Sequence, residues 1–248
     1  MIDKILQNLK IEALNEMQQA AVSTAVSHDM ILLAPTGSGK TLAYLIPVTS
    51  MLHIDLIGIQ ALVLVPSREL ALQTEQVFKA AGTGFKVSCC YGGHPVKIER
   101  NNLREPPAVL IGTPGRIAYH IREANLIAST IHTLVIDEFD KSLELGFEDD
   151  MAFIIGSAGT INRRILTSAT RIDRLPGFSG AENAVEVDFL KDAGIKPDLS
   201  ILGLSSDAEV KVETLFSLIC MTGDETSLIF CNHRDAADRI SRVLWETG

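Results

Sequence analysis

The sequence predicts an α/β protein: a doubly wound, mostly parallel sheet, followed by a linker and an incomplete second α/β domain. Three observations predict it. Short, unbroken apolar runs recur through the first 190 residues. Stretches of helical periodicity separate them, as crossover helices separate parallel strands. A glycine-rich loop joins the first run to a helix, the usual junction at the carboxyl end of a strand in such folds.

The elements follow in order. Strands are expected at 30–33, 61–65, 86–90, 108–111, 133–136 and 164–167, each apolar on both faces, as a covered parallel sheet requires. Helices are expected between them, for example at 67–80 and 115–124. The first domain (1–190) closes near Val185-Glu186-Val187. Residues 191–198 mix glycine, proline and charge and read as a linker. Residues 199–248 hold a strand at 201–204, a helix at about 208–220, a strand at 227–231 and a helix at about 235–246. Two strands and two helices are too few for an independent α/β domain. They are expected to be the start of a second domain that is cut short.

Composition narrows the function. The chain has 248 residues, 46% of them hydrophobic, enough for a sizeable core. A net charge of −9 argues against holding nucleic acid by bulk positive charge, so any such contact must come from a local groove. No apolar run approaches the ~20 residues that span a bilayer. Met1-Ile2-Asp3-Lys4 does not open a signal peptide, so a cytoplasmic protein without membrane contact is expected. Cys89, Cys90, Cys220 and Cys231 form no Cys-x-x-Cys pair and read as reduced core residues.

The run Ala34-Pro35-Thr36-Gly37-Ser38-Gly39-Lys40-Thr41 follows a strand and opens a helix, the context of a loop that binds a nucleoside triphosphate, here ATP. Gly37 and Gly39 allow a tight turn and bring N–H groups close to phosphate oxygens. The helix N-terminus adds partial positive charge. Lys40 reaches the β- and γ-phosphates, and the Thr41 hydroxyl ligates Mg²⁺. Ala34 stands where the strict pattern has its first glycine.

Asp137-Glu138-Phe139-Asp140 follows the strand at 133–136. Carboxylates there point into the phosphate site. Asp137 is the candidate for Mg²⁺, through water, and Glu138 for orienting and deprotonating the attacking water. Asp140 is expected to bond to a neighbouring motif.

At this point the chain resembles the DEAD-box group of ATP-dependent RNA helicases. The resemblance rests on an ordered set over nearly the whole length: the loop at Lys40, Pro66-Ser67-Arg68-Glu69-Leu70-Ala71, Gly92-Gly93, Thr113-Pro114-Gly115-Arg116, Asp137-Glu138-Phe139-Asp140, Gly146-Phe147, Ser168-Ala169-Thr170 and Leu228-Ile229-Phe230-Cys231-Asn232. Phe139 replaces the family's usual alanine, and Ser67 its usual threonine.

The resemblance implies a RecA-like ATP-binding domain. It implies that Arg68, Gly93, Thr113, Pro114, Gly115 and Arg116 hold the RNA backbone, with little sequence preference. It implies that Asp140, Ser168, Ala169 and Thr170 link hydrolysis to strand separation. Gln18 matches the glutamine that reads adenine, and Asn15 stands as a helix cap in place of threonine. The upstream aromatic that stacks on adenine has no clear match. The second domain's arginine-bearing motifs are absent from these residues, so this chain alone is expected to bind nucleotide and hydrolyse it slowly. Two rival readings share the phosphate loop and the carboxylates: a DNA-directed helicase, and an ATP-gated RNA clamp with little unwinding. A small P-loop kinase would leave Arg68, Arg116 and the Ser-Ala-Thr segment without a task.

Overall fold

An apolar run stays in a parallel sheet only if both its faces are covered, and the chain supplies that cover in order. The computed structural model describes residues 1–159, 161–172, 174–190 and 200–247. The chain divides into two compact units, Met1–Ile195 and Lys196–Gly248. The expected linker, 191–198, lies outside the described residues.

The first unit runs α1 (Ile2–Leu9), α2 (Glu16–Ala25), β1 (Met30–Leu33), α3 (Lys40–Ser50), β2 (Ala61–Leu64), α4 (Arg68–Ala80) and β3 (Val87–Cys90). It continues with α5 (Val96–Arg104), β4 (Val109–Gly112), α6 (Pro114–Arg122), β5 (Thr133–Ile136), α7 (Phe139–Glu144), α8 (Glu148–Ser157), β6 (Arg163–Ser168) and β7 (Val185–Asp188). The seven strands make one sheet in the order β3-β4-β2-β5-β6-β1-β7. Every neighbouring pair is parallel. The seventh strand, β7, pairs with β1 where the sequence suggested only that the domain closes.

Alternation along each strand divides the core in two. Met30 and Leu32 of β1, with Ala61 and Val63 of β2, join Met17, Leu45 and Phe78 in one cluster. Ile31 and Leu33, with Leu62 and Leu64, join Ile117, Phe139 and Met151 in the other. Helices α1–α4 thus cover one face and α5–α8 the other. Phe139 is fully buried, with its ring 6.4 Å from that of Phe178, so the aromatic in place of a small residue is a core side chain.

Strand order also sorts the loops. The carboxyl ends of β5, β6 and β1, neighbours in the sheet, carry residues 137–140, 168–170 and 34–41. The ends of β3, β4 and β2, also neighbours, carry 91–94, 113–116 and 66–68.

The second unit departs from expectation. It contains a 3₁₀ turn at Ala208–Val210 running into α9 (Lys211–Thr222), and then α10 (Arg234–Thr247). Neither 201–204 nor 227–231 forms a strand among the described residues. Leu202 is 93% exposed and Phe230 91%. The apolar, β-branched character of these runs is real. A strand nevertheless needs a neighbour for its N–H and C=O groups, and no strand is described in this unit to supply one.

Candidate functional site

The loop after β1 is shaped by its two glycines. Gly37 (φ 78°) and Gly39 (φ 89°) are left-handed. A Cβ on Gly39 would stand 2.5 Å from Gln18 Nε2, the movable end of that side chain, so it is the left-handed backbone that favours glycine here. Gly39 caps α3: its carbonyl accepts from Leu42 N and Ala43 N, while the N–H groups of Lys40 and Thr41 before them have no intrahelical acceptor. The Ser38 hydroxyl is buried without a hydrogen-bond partner. An orphaned hydroxyl beside free helix N–H groups fits a phosphate oxygen.

Lys40 is buried and spans the loop, donating from Nζ to the carbonyls of Ala34 (2.7 Å) and Pro35 (3.2 Å). Burial lowers its pKa, while Asp137, Glu138 and Asp140 pull it back up. From below, α2 grips the same loop. Asn15 and Gln18 form a reciprocal capping box at the start of α2. Their side-chain amides also donate to Ser38 O (3.2 Å) and Gly39 O (3.3 Å). Gln18 thus packs against the loop after β1 and is not an exposed helical residue.

Asp137 lies just past β5 and is 3% exposed. Tyr44 donates to its Oδ2 (2.9 Å). Thr167 donates to its Oδ1 (2.5 Å), and the Glu138 N–H donates to the same oxygen (3.1 Å). Burial raises the Asp137 pKa, against which Thr167, Tyr44 and Lys40 act. Burial and then Asp137 push the Tyr44 phenol well above its ordinary value, so it stays a donor. The Thr41 hydroxyl also acts on that phenol. The hydroxyl of Thr41 and the carboxylate of Asp137 are oxygen ligands of the kind that suits a hard divalent cation.

Glu138 is half-buried, holds a left-handed backbone (φ 49°) and caps α7. Its N–H also donates to Thr167 Oγ1 (3.1 Å). Its pKa is raised by burial and then by Asp137, and lowered by Lys40. Asp140 accepts from Thr170 Oγ1 (2.8 Å) and keeps a buried Oδ1 without a partner. Ser168 closes its own turn, donating to Thr170 O (2.6 Å) and accepting from Thr170 N (3.2 Å). Ala169, between them, is half-buried. So Thr170 meets Asp140, but the hydroxyl that meets Asp137 is Thr167, one residue before Ser168. Sequence reasoning passed over both Thr167 and Tyr44. Tyr44 carried a signal, since it follows Lys40 at helical spacing i+4. Thr167 is visible only through the β5–β6 register, which pairs Ile136 with Leu166.

The loops of the other half of the sheet line an open groove of about 480 Å³ that includes Pro66, Arg68, Gly93, Thr113, Gly115 and Arg116. Ser67 caps α4 by accepting from Leu70 N (3.2 Å), which sets Arg68 at the first helical position. The Arg68 guanidinium lies 5.2 Å from the centre of the Tyr91 ring and makes no ion pair among the described residues. Gly93 is left-handed (φ 82°) and exposed. Thr113 stands at the N-cap of α6 with Pro114 next, yet its hydroxyl makes no cap bond. Arg116 turns inward: Nε donates to Tyr91 O (3.1 Å), Nη2 to His94 O, and the head pairs with Glu99.

Cys90 is buried beside Glu99 and His120, whereas Cys220, on α9, is exposed and not a core residue.

A family model described as DEAD/DEAH box helicase matches residues 15–175. An "ATP-dependent RNA helicase DeaD" of Buchnera aphidicola (strain APS) is 30% identical, aligned over 96% of this chain and 42% of that protein. A "DEAD-box ATP-dependent RNA helicase CshA" of Geobacillus kaustophilus is 29% identical over 97% of this chain and 53% of its own length. Among solved structures, a hypothetical ATP-dependent RNA helicase from Sulfolobus tokodaii superposes with a TM-score of 0.70 at 25% identity, covering 98% of this chain and 72% of that one. A DEAD box protein from Methanococcus jannaschii gives 0.69 at 24% identity, covering 98% and 67%. The chain thus spans about half or less of the curated relatives' length.

Proposed function

The chain belongs to the DEAD/DEAH box helicase family, and on that premise we propose that it binds ATP with Mg²⁺ and couples ATP binding and hydrolysis to local opening of RNA duplexes. One observation carries this reading. The loop at Lys40, the turn at Asp137 and the groove at Arg68 all open on the carboxyl edge of a single sheet. Events at a γ-phosphate and at a bound backbone can then share rigid strands.

In this reading Ala34, Pro35, Thr36, Gly37, Ser38, Gly39, Lys40 and Thr41 cradle the phosphates, and Gln18 meets adenine. The Lys40 ammonium leaves the carbonyls of Ala34 and Pro35 for the β- and γ-phosphates. Thr41, and Asp137 through water, would hold Mg²⁺, which would supply charge neutralisation for phosphoryl transfer. Glu138 orients the attacking water and takes its proton; its raised pKa brings the carboxylate nearer the working pH of a general base. The Asp140–Thr170 bond, with Ser168 and Ala169 in the same turn, ties the carboxylate turn to β6. Arg68, Gly93, Thr113, Gly115 and Arg116 line the RNA groove, and Pro114, expected with them, is instead buried at the start of α6.

The domain assignment belongs to the same proposal: 1–190 as the ATP-binding helicase domain, 191–198 as linker and 199–248 as the start of the second helicase domain. A cytoplasmic site of action fits substrates such as RNA and ATP. No helix among the described residues is long and apolar enough to cross a membrane.

The test is binding and turnover of nucleotide. Lys40→Ala removes the one ammonium in the loop, and binding of a fluorescent ATP analogue should fall below detection. Unchanged binding sinks the assignment. The 248 residues alone should turn over slowly, since an arginine supplied to the γ-phosphate is worth about 10³–10⁵ in rate. Stimulation by DNA as strong as by RNA would shift the reading to a DNA-directed motor.

A further inference from the structure

Arg116 reads by motif as a phosphate contact, yet its head group faces inward. Glu99, in the first turn of α5, is fully buried, and its carboxylate is the reason. Oε1 accepts from the Tyr91 N–H (3.1 Å) and has His94 Nδ1 3.3 Å away, out of hydrogen-bonding line. Oε2 pairs with Arg116 Nε at 3.1 Å and with His120 Nε2 at 2.8 Å. The Asn125 amide faces His120 Nδ1 (3.4 Å), which leaves the Nε2 proton for Glu99. Among the described residues, the permanently charged group paired with buried Glu99 is Arg116.

Arg116 then grips both ends of the loop after β3, at the carbonyls of Tyr91 and His94. Between them Gly92 and Gly93 stand exposed at the groove. The Tyr91 ring, fixed from its backbone by Glu99, carries Arg68. We propose that Glu99 and Arg116 are positioning residues: they act as an internal staple that shapes the Gly92-Gly93 loop and seats Arg68, while Arg68 and backbone N–H groups make the direct phosphate contacts. This rests on the RNA reading above for its consequence, though not for the staple itself.

The two roles predict opposite signs. Glu99 cannot touch RNA. If it merely masks Arg116, Glu99→Gln frees a positive charge, so RNA should bind more tightly with a steeper salt dependence. If it positions, Glu99→Gln loosens the loop, and binding should weaken about tenfold with an unchanged salt slope. Arg116→Lys is the second variant. It keeps the charge but loses the planar fork that reaches Glu99 and two carbonyls. A positioning Arg116 predicts the same roughly tenfold loss; a phosphate contact predicts near-normal binding. Arg68→Ala should flatten the slope by about 0.7, one single-strand phosphate.

The measurement is anisotropy of a short oligouridine with a non-hydrolysable ATP analogue across a salt series, with thermal melts to confirm folding. Hydrogen exchange over residues 91–94 gives a readout without RNA and should quicken in both variants. Unchanged exchange overturns the staple, as does tighter RNA binding by Glu99→Gln or wild-type affinity in Arg116→Lys. Wild-type protein that binds no oligouridine sinks the RNA reading instead, and exchange alone then decides the staple. Should Glu99→Gln fail to fold, Arg116→Lys decides.

Discussion

Asp137 is kept buried and ionisable by its neighbours. A carboxylate at 3% exposure is costly unless hydrogen-bonded, and here three donors meet it: Tyr44, Thr167 and the Glu138 N–H. The donors also fix its direction, Oδ2 towards Tyr44 on α3 and Oδ1 towards Thr167 on β6. Glu138 makes a comparable trade. Its left-handed backbone costs roughly 1–2 kcal/mol and is held by bonds to Asp137 and Thr167. Tyr44→Phe tests the arrangement at this scale. It deletes one donor and leaves Asp137 Oδ2 buried, so stability in denaturant should fall by about 1–3 kcal/mol. An unchanged midpoint would mean that water replaces the phenol.

Helix α2 shows one element serving two ends. Its capping box satisfies the first-turn N–H groups, and the same two side chains reach up to Ser38 and Gly39. Asn15→Ala should cost about 1 kcal/mol as a lost cap. It should also weaken nucleotide binding, because the loop loses a support. Denaturation midpoints and fluorescent-nucleotide titrations separate the two effects; a lower midpoint with unchanged affinity would confine Asn15 to capping. Elements were legible where a run was both apolar and flanked by partners in sequence, as at β1, β2 and β5. The runs at 201–204 and 227–231 had the same local character and still formed no strand. Pairing, unlike propensity, is not a property of the run.

Across the whole molecule the cysteines report burial. The Cys89 thiol is pushed up to about 12, first by burial, and Cys90 rises further for the same reason. Both remain protonated at pH 8, and the thiol form is a poor nucleophile. Cys220 is exposed on α9. A maleimide at pH 8 should therefore label Cys220 readily and leave Cys89 and Cys90 untouched until the sheet unfolds, as mass spectrometry of peptides would show. Early labelling of Cys90 would contradict the closed core around β3. At the same scale, strand order gathers the site. Residues 34–41, 137–140 and 168–170 are far apart in the chain and adjacent only because β1, β6 and β5 are neighbours.

The sequence by itself determined the glycine-rich loop after β1, the acidic turn, the alternation that makes a parallel sheet, and the family those motifs resemble. Each is a local pattern of spacing, and local spacing survives without coordinates. Only the tertiary structure decided which hydroxyl meets Asp137, that Gln18 supports the loop, and that Arg116 is turned inward by Glu99. Those are contacts between residues distant in sequence. They depend on strand register and on where a buried charge finds its counter-charge, and no local pattern encodes either.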